Sequence, residues 1–208
     1  MMPDFDFYFI TCRELSRKND VEDVRAALRA GVKIVQYREK ALPTKEMVMT
    51  AKKIKELCDE SGALLIINDR VDVALAVDAD GVHIGADDMP YENARAILGK
   101  KIIGLSARNL EEALYAQRVG ADYIGFGPIF ETKTKKDASA AQGLKALRKV
   151  LKSASVPVVA IGGITLENVR EVVEAGARHV AAISATVGSD DVEAAVLSFR
   201  RIIAEYRY

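Results

Sequence analysis

Histidine and cysteine are scarce in this chain of 208 residues, which holds two of each. Cys12 and Cys58 stand 46 positions apart with neither CxxC nor metal-ligand spacing, so they read as buried bystander thiols. Nothing in that usage requires an oxidising compartment. The sequence shows no recognisable nucleophilic triad. Net charge is also absent, because 30 Lys and Arg balance 30 Asp and Glu. That balance excludes the basic footprint of a general nucleic-acid binder, while a few placed cations could still hold a small anionic ligand. No apolar run approaches the ~18 residues of a membrane span. The segment Met1-Met2-Pro3-Asp4-Phe5-Asp6 carries acids where a signal peptide would carry bases. A soluble cytoplasmic protein without nucleic-acid or membrane partners is expected.

What the chain has is rhythm. Hydrophobic residues make up 50% of it, enough for a full core. Short apolar runs alternate with amphipathic stretches: Phe7–Thr11, Ile34–Arg38, Leu64–Asn68, Gly81–Ile84, Ile102–Ser106, Tyr123–Gly127, Val156–Ile161 and Val180–Ser184. Helical patterns lie between them at Val21–Ala30, Thr44–Ser61, Leu110–Val119, Leu144–Lys152 and Leu166–Ala175, with a turn or two over Val71–Val77. Gly31, Gly62, Gly120 and Gly176 follow helical patterns where a left-handed cap is needed. Asn109 and Thr165 stand where N-caps belong. Eight strand–helix units without a linker predict a single compact (β/α)8 TIM barrel spanning 1–208. A doubly wound open sheet is the alternative, but the dinucleotide fingerprint is missing after the first run, where Thr11-Cys12-Arg13 stands.

Barrel chemistry sits at the C-terminal ends of the strands. In the second run, alternation projects Gln36, Arg38 and Lys40 together and turns Val35 and Tyr37 toward the helix layer. Two cations and an amide on one face suit clustered anionic oxygens such as a diphosphate; the plainer alternative is a polar edge salted by Glu39. Asp69 and Asp88 end neighbouring runs, and two carboxylates facing a diphosphate need a divalent cation such as Mg2+ between them. An Asp–Arg pair through Arg70, or helix capping by Asp87 or Asp88, would equally explain those acids. The stretch 132–143 lacks apolar periodicity and could cover the site, with Thr132, Thr134 and Lys135 available to a phosphate. Gly162-Gly163 after run seven, a helix N-terminus beyond it, and Ser184 after run eight mark the usual phosphate corner of this fold. The spacing therefore describes two anion sites on one mouth. His83 could reach the interior, although a packed, hydrogen-bonded histidine is the expectation; His179 lies at the opposite end of its run.

Six blocks in order, Gln36–Lys40, Ile67–Arg70, Gly81–Gly85, Asp122–Phe130, Thr132–Lys135 and Ile161–Ile164, resemble thiamine-phosphate synthase (thiamine-phosphate pyrophosphorylase). The resemblance runs from about residue 7 to the C-terminus. It implies a barrel enzyme that joins two phosphorylated small molecules, 4-amino-5-hydroxymethyl-2-methylpyrimidine diphosphate and 4-methyl-5-(2-phosphoethyl)thiazole, releasing pyrophosphate by a largely dissociative displacement. It implies that Gln36, Arg38, Lys40, Asn68, Ser106 and Lys135 contact the pyrimidine diphosphate, with Tyr37 and Glu39 in the same contact segment. Arg38, Lys40, Ser106 and Lys135 would serve catalysis. Asp69 and Asp88 would hold Mg2+, and Thr132, Lys133, Thr134, Gly163, Ile183 and Ser184 would bind the thiazole phosphate.

The chain departs from the family pattern where Ala86 replaces a common Gln and Arg108 a common His. A thiazole tautomerase of the same superfamily would want that histidine for proton transfer, and arginine does not release its proton near neutral pH. A non-catalytic barrel that binds thiamine phosphate is the third reading. The apolar residues of the outer helices leave homo-oligomerisation open.

Overall fold

The computed structural model describes residues 2, 4–132 and 140–206. Each apolar run supplies a parallel strand: β1 (Phe9–Ile10), β2 (Ile34–Tyr37), β3 (Leu64–Asn68), β4 (Gly81–Ile84), β5 (Ile102–Ala107), β6 (Tyr123–Phe126), β7 (Val158–Ile161) and β8 (His179–Ala181). They pair in sequence order, and a parallel bridge from Phe7 to Val180 returns the last strand to the first. The Tyr8 amide donates to the Val180 carbonyl at 2.9 Å, so the eight strands close into a barrel rather than an open sheet. Both faces are buried, which is why the runs read as nearly continuous apolar sequence.

Helices α1 (Asp20–Arg29), α2 (Thr44–Ser61), α3 (Val71–Ala76), α4 (Tyr91–Leu98), α5 (Leu110–Val119), α6 (Gly143–Ser153) and α7 (Val169–Glu174) form the outer layer, followed by α8 (Ser184–Val187) and α9 (Val192–Ala204). Their ends are set locally. Asn19, Asn109 and Asp191 accept the backbone amides of Glu22, Glu112 and Ala194 at the starts of α1, α5 and α9. Gly62 ends α2 at φ +62°, a conformation that costs a residue with a Cβ.

Several boundaries shift by a residue from the sequence pattern, and the larger differences are at β1, β7, β8 and α7. β1 keeps two residues of its five-residue run. Ser184 opens α8 instead of closing a strand. α7 starts at Val169 rather than Leu166, and residues 166–168 form a turn in which the Thr165 carbonyl accepts the Asn168 and Val169 amides at 3.3 and 3.0 Å. At the N-terminal end of the barrel, His179 stacks on Phe5 and Arg200 of α9 grips Asp6 at 2.9 Å. The opposite end is left open.

Candidate active site

The C-terminal ends of β2 to β8 surround a cavity of about 270 Å³, with a smaller one of about 50 Å³ beneath it in the barrel interior. The β2 trio is graded by depth. Lys40 stands at the rim, paired with Asp69. Arg38 lines both cavities, held by its amide donating to Thr11 Oγ1 at 2.9 Å. Gln36 belongs to the floor, where its Nε2 donates to the Tyr8 hydroxyl at 3.0 Å.

Two buried donors in this mouth, Arg38 Nε and Asn68 Nδ2, have no hydrogen-bond partner among the described residues. A buried donor left unmade costs about 1–3 kcal/mol, and a charged one more. Their position therefore calls for an acceptor supplied from outside, such as an anionic oxygen.

Asp69 follows β3 at φ +60°, a left-handed backbone that is uncommon for a residue with a Cβ. Its amide donates to the His83 carbonyl at 2.7 Å, which pins that turn to β4 and directs the residue into the mouth. Asp88 comes from the other side and accepts the Gly85 amide at 2.7 Å. Burial pushes the Asp88 carboxyl above its ordinary range, and the neighbouring Asp69 carboxylate pushes it further. Two carboxylates held side by side suit a shared cation. Among the described residues no third acid, histidine or cysteine joins them in a metal-binding group. The alternatives weighed for these acids are not what forms: Arg70 pairs with Asp72, and α4 is preceded by Pro90 rather than capped by Asp87 or Asp88.

The phosphate corner lies across the mouth. Gly162 and Gly163 take φ +98° and +66°. A Cβ on Gly163 would stand 2.5 Å from the Glu131 carbonyl, so only glycine lets the β6 loop lie against this turn. Gly163, Ile183, Ser184 and Thr132 line the same cavity as Arg38 and Asp69. Lys133, Thr134 and Lys135 lie outside the described residues.

Tyr37 and Glu39, expected in the pyrimidine contact segment, line neither cavity. Alternation turns Tyr37 into the helix layer, where it is buried and where burial first, then the Asp20 charge, raise the pKa of its hydroxyl. Glu39 Oε1 instead accepts the Ala41 and Leu42 amides at 2.6 and 3.2 Å, shaping the turn after Lys40. Of the two departures, Ala86 and Arg108 both face the cavity, and Arg108 Nε lies 3.4 Å from Glu112.

The residues missed by sequence reading are Tyr8 and Tyr123. Their hydroxyls meet at 2.6 Å on the cavity floor, and burial raises both phenol pKa values. His83 is hydrogen-bonded as expected, with Nδ1 3.0 Å from the Tyr123 hydroxyl and Nε2 2.9 Å from Ser106 Oγ, yet it also faces the cavity. The available signal was alternation, which puts Tyr8 on the Ile10 face of the first run and Tyr123 on the Gly125 face of the sixth.

Comparison with known proteins agrees with this geometry. A family model described as thiamine monophosphate synthase matches residues 7–186. Thiamine-phosphate synthase of Methanosarcina mazei is 52% identical over 208 residues, covering 100% of this chain and 86% of the relative. That of Chloroflexus aurantiacus is 49% identical over 202 residues, covering 97% and 94%. The solved thiamine phosphate pyrophosphorylase of Pyrococcus furiosus superposes with a TM-score of 0.92 at 46% identity, covering 99% and 98% of the two chains. A barrel whose mouth gathers Arg38, Asn68, Asp69 and Asp88 opposite Gly163, with these likenesses along its length, belongs to the thiamine-phosphate synthase family of transferases.

Proposed function

We propose that this chain joins 4-amino-5-hydroxymethyl-2-methylpyrimidine diphosphate to 4-methyl-5-(2-phosphoethyl)thiazole, giving thiamine phosphate and pyrophosphate with the help of Mg2+. The observation that carries the reading is the pair of partnerless buried donors, Arg38 Nε and Asn68 Nδ2, beside the carboxylates of Asp69 and Asp88. Donors of that kind receive the diphosphate oxygens. Asp69 and Asp88 fit a hard divalent cation, since Mg2+ is commonly held by one or two carboxylates plus phosphate oxygens. When bound, Mg2+ supplies charge neutralisation to the departing pyrophosphate.

In the step itself, the bond between the pyrimidine methylene and the diphosphate oxygen breaks, and its electron pair leaves with pyrophosphate. The thiazole nitrogen lone pair then forms the new carbon–nitrogen bond. Arg38 and Lys40 stabilise the charge that grows on the leaving group. Lys135 adds a third cation in this reading. No side-chain nucleophile takes part in this reading. The Gly163 turn, Ser184 and Thr132 hold the thiazole phosphate across the mouth, which places the nucleophile opposite the leaving group.

The test is product formation from both substrates with Mg2+ added and withheld. Asp69→Asn and Asp88→Asn are each expected to lower kcat/KM at least about 100-fold, with the loss partly offset by raised Mg2+. Full activity in either variant would sink the metal assignment. Folded protein that forms no thiamine phosphate would defeat the reading, and isomerisation of a thiazole carboxylate phosphate alone would point to a tautomerase.

A further inference from the structure

A continuous chain of side chains, buried at Gln36, Tyr8 and Tyr123 and half-buried at His83 and Ser106, joins the two sides of the cavity floor, and each link comes from a different strand or strand end. Gln36 Nε2 donates to the Tyr8 hydroxyl at 3.0 Å; the Tyr8 and Tyr123 hydroxyls are 2.6 Å apart. The Tyr123 hydroxyl stands 3.0 Å from His83 Nδ1, and His83 Nε2 stands 2.9 Å from Ser106 Oγ. Gly104 makes the middle of it possible. It lies between His83 and Tyr123 in the register of β4, β5 and β6, and a Cβ there would fall 2.1 Å from the Tyr123 ring.

Each hydroxyl has a single hydrogen to give, so the chain has a direction. Gln36 places its amide N–H on the Tyr8 oxygen; were Tyr123 to donate there as well, the buried Tyr8 hydrogen would be left without an acceptor, so the favoured arrangement has Tyr8 donating to Tyr123. Tyr123 then gives its own hydrogen to His83 Nδ1. A neutral imidazole that accepts at Nδ1 carries its hydrogen on Nε2 and donates it to Ser106 Oγ. Ser106 is left with its O–H to give, and Gln36 with its Oε1 to receive. Tyr8 and Tyr123 are each 1% exposed, so breaking a link between them leaves a buried polar group without its partner.

We propose that Tyr8, Tyr123 and His83 are positioning residues that fix hydrogen-bond polarity at the cavity floor, presenting an acceptor at Gln36 and a donor at Ser106. An acceptor and a donor set across a cavity floor match a flat heteroaromatic ring that offers an amino hydrogen on one edge and an acceptor on the other. Identifying that ring with the pyrimidine rests on the functional reading above; the polarity of the chain does not.

The experiment is nitrogen-15 NMR of the histidine side chains in the full-length protein at pH 8, with His179→Gln to assign the two signals. His179 serves as an internal reference, because its Nδ1 must donate to the Phe5 carbonyl 2.7 Å away. Opposite neutral tautomers are expected, Nδ1–H for His179 and Nε2–H for His83. An Nδ1–H tautomer at His83 would mean that the chain runs the other way and would overturn the proposal. Tyr123→Phe removes both middle links while keeping the ring. It is expected to release His83 from one tautomer and to raise the KM for the pyrimidine substrate about tenfold, leaving the KM for the thiazole within about twofold. Tyr8→Phe should do the same, and the double variant should be no worse than either single one, because a chain breaks once. Unchanged KM in both single variants, or additive losses, would refute the positioning role. The tautomer result stands whichever ring the enzyme takes, so its failure is separable from failure of the functional reading.

Discussion

Asp20 offers a sharp test of how this fold handles a charge it has buried. The residue opens α1, is 3% exposed, and has its Oδ1 without a partner among the described residues. It borders a cavity of about 380 Å³ that Arg13 and Lys53 also line. A carboxylate at a helix N-terminus is ordinarily favoured by the dipole. Here burial wins, followed by the charges of Glu39 and Asp23 against the opposing pull of Arg13, and the carboxyl rises from 3.8 to about 6. At 1.36 kcal/mol per unit the full shift is worth about 3 kcal/mol, and screening by solvent in the adjoining cavity brings it to about 2 kcal/mol.

The sign follows from the raised folded value. Below pH 3.8 the group is neutral in both states and its contribution is intact. As pH rises toward 6, the unfolded chain releases the proton first, and folding stability is lost until the folded carboxyl ionises as well. Asp20→Asn keeps the shape of the neutral acid and cannot ionise. Urea unfolding should be followed by far-UV circular dichroism, since the chain has no tryptophan. Variant and wild type are expected to match near pH 3.5, with the variant about 2 kcal/mol more stable at pH 7.5. A difference that stays flat with pH would refute the reasoning. So would a wild type that gains on the variant as pH rises, since that outcome would mean Arg13 holds Asp20 ionised.

Two further perturbations probe the scaffold. Gly81→Ala would put a Cβ 2.2 Å from the Ile102 carbonyl oxygen, a backbone atom of the paired strand that cannot step aside without disturbing the β4–β5 ladder. A loss of about 3 kcal/mol and a Tm fall of about 9 °C are expected in a calorimetric scan, and an unchanged Tm would contradict the packing. Cys58 is buried, and burial followed by Asp80 and Asp59 pushes its thiol up to about 12; burial raises Cys12 too. Neither thiol should react with a thiol reagent at pH 8 until urea is added, and rapid labelling of the native protein would contradict their placement.

Much of the fold was legible because its signals are local. β3, β4, α2 and α5 begin and end where the apolar period and the caps place them. Asn109 caps α5 and Gly62 ends α2 through backbone chemistry that needs no distant partner. Alternation likewise separated Arg38 from Tyr37. The Tyr37 side chain lies buried on the opposite face, and Glu39 shapes the turn after Lys40. Local signals failed at β1 and α7, whose lengths depend on what packs or bonds against them.

The sequence alone, then, determined the eight-unit order, the facing of each strand and which strand ends carry charge, because period, caps and turns act within a few residues. Tertiary structure decided which of those groups meet. Asp69 faces Asp88 only because a left-handed turn after β3 is pinned to β4. Tyr8 reaches Tyr123 across 115 residues only because the barrel closes. His83 reaches Tyr123 because Gly104 leaves a gap between them at the same height. Register across a closed parallel sheet is set jointly by all its strands and the helices that join them, so no single stretch of chain contains it.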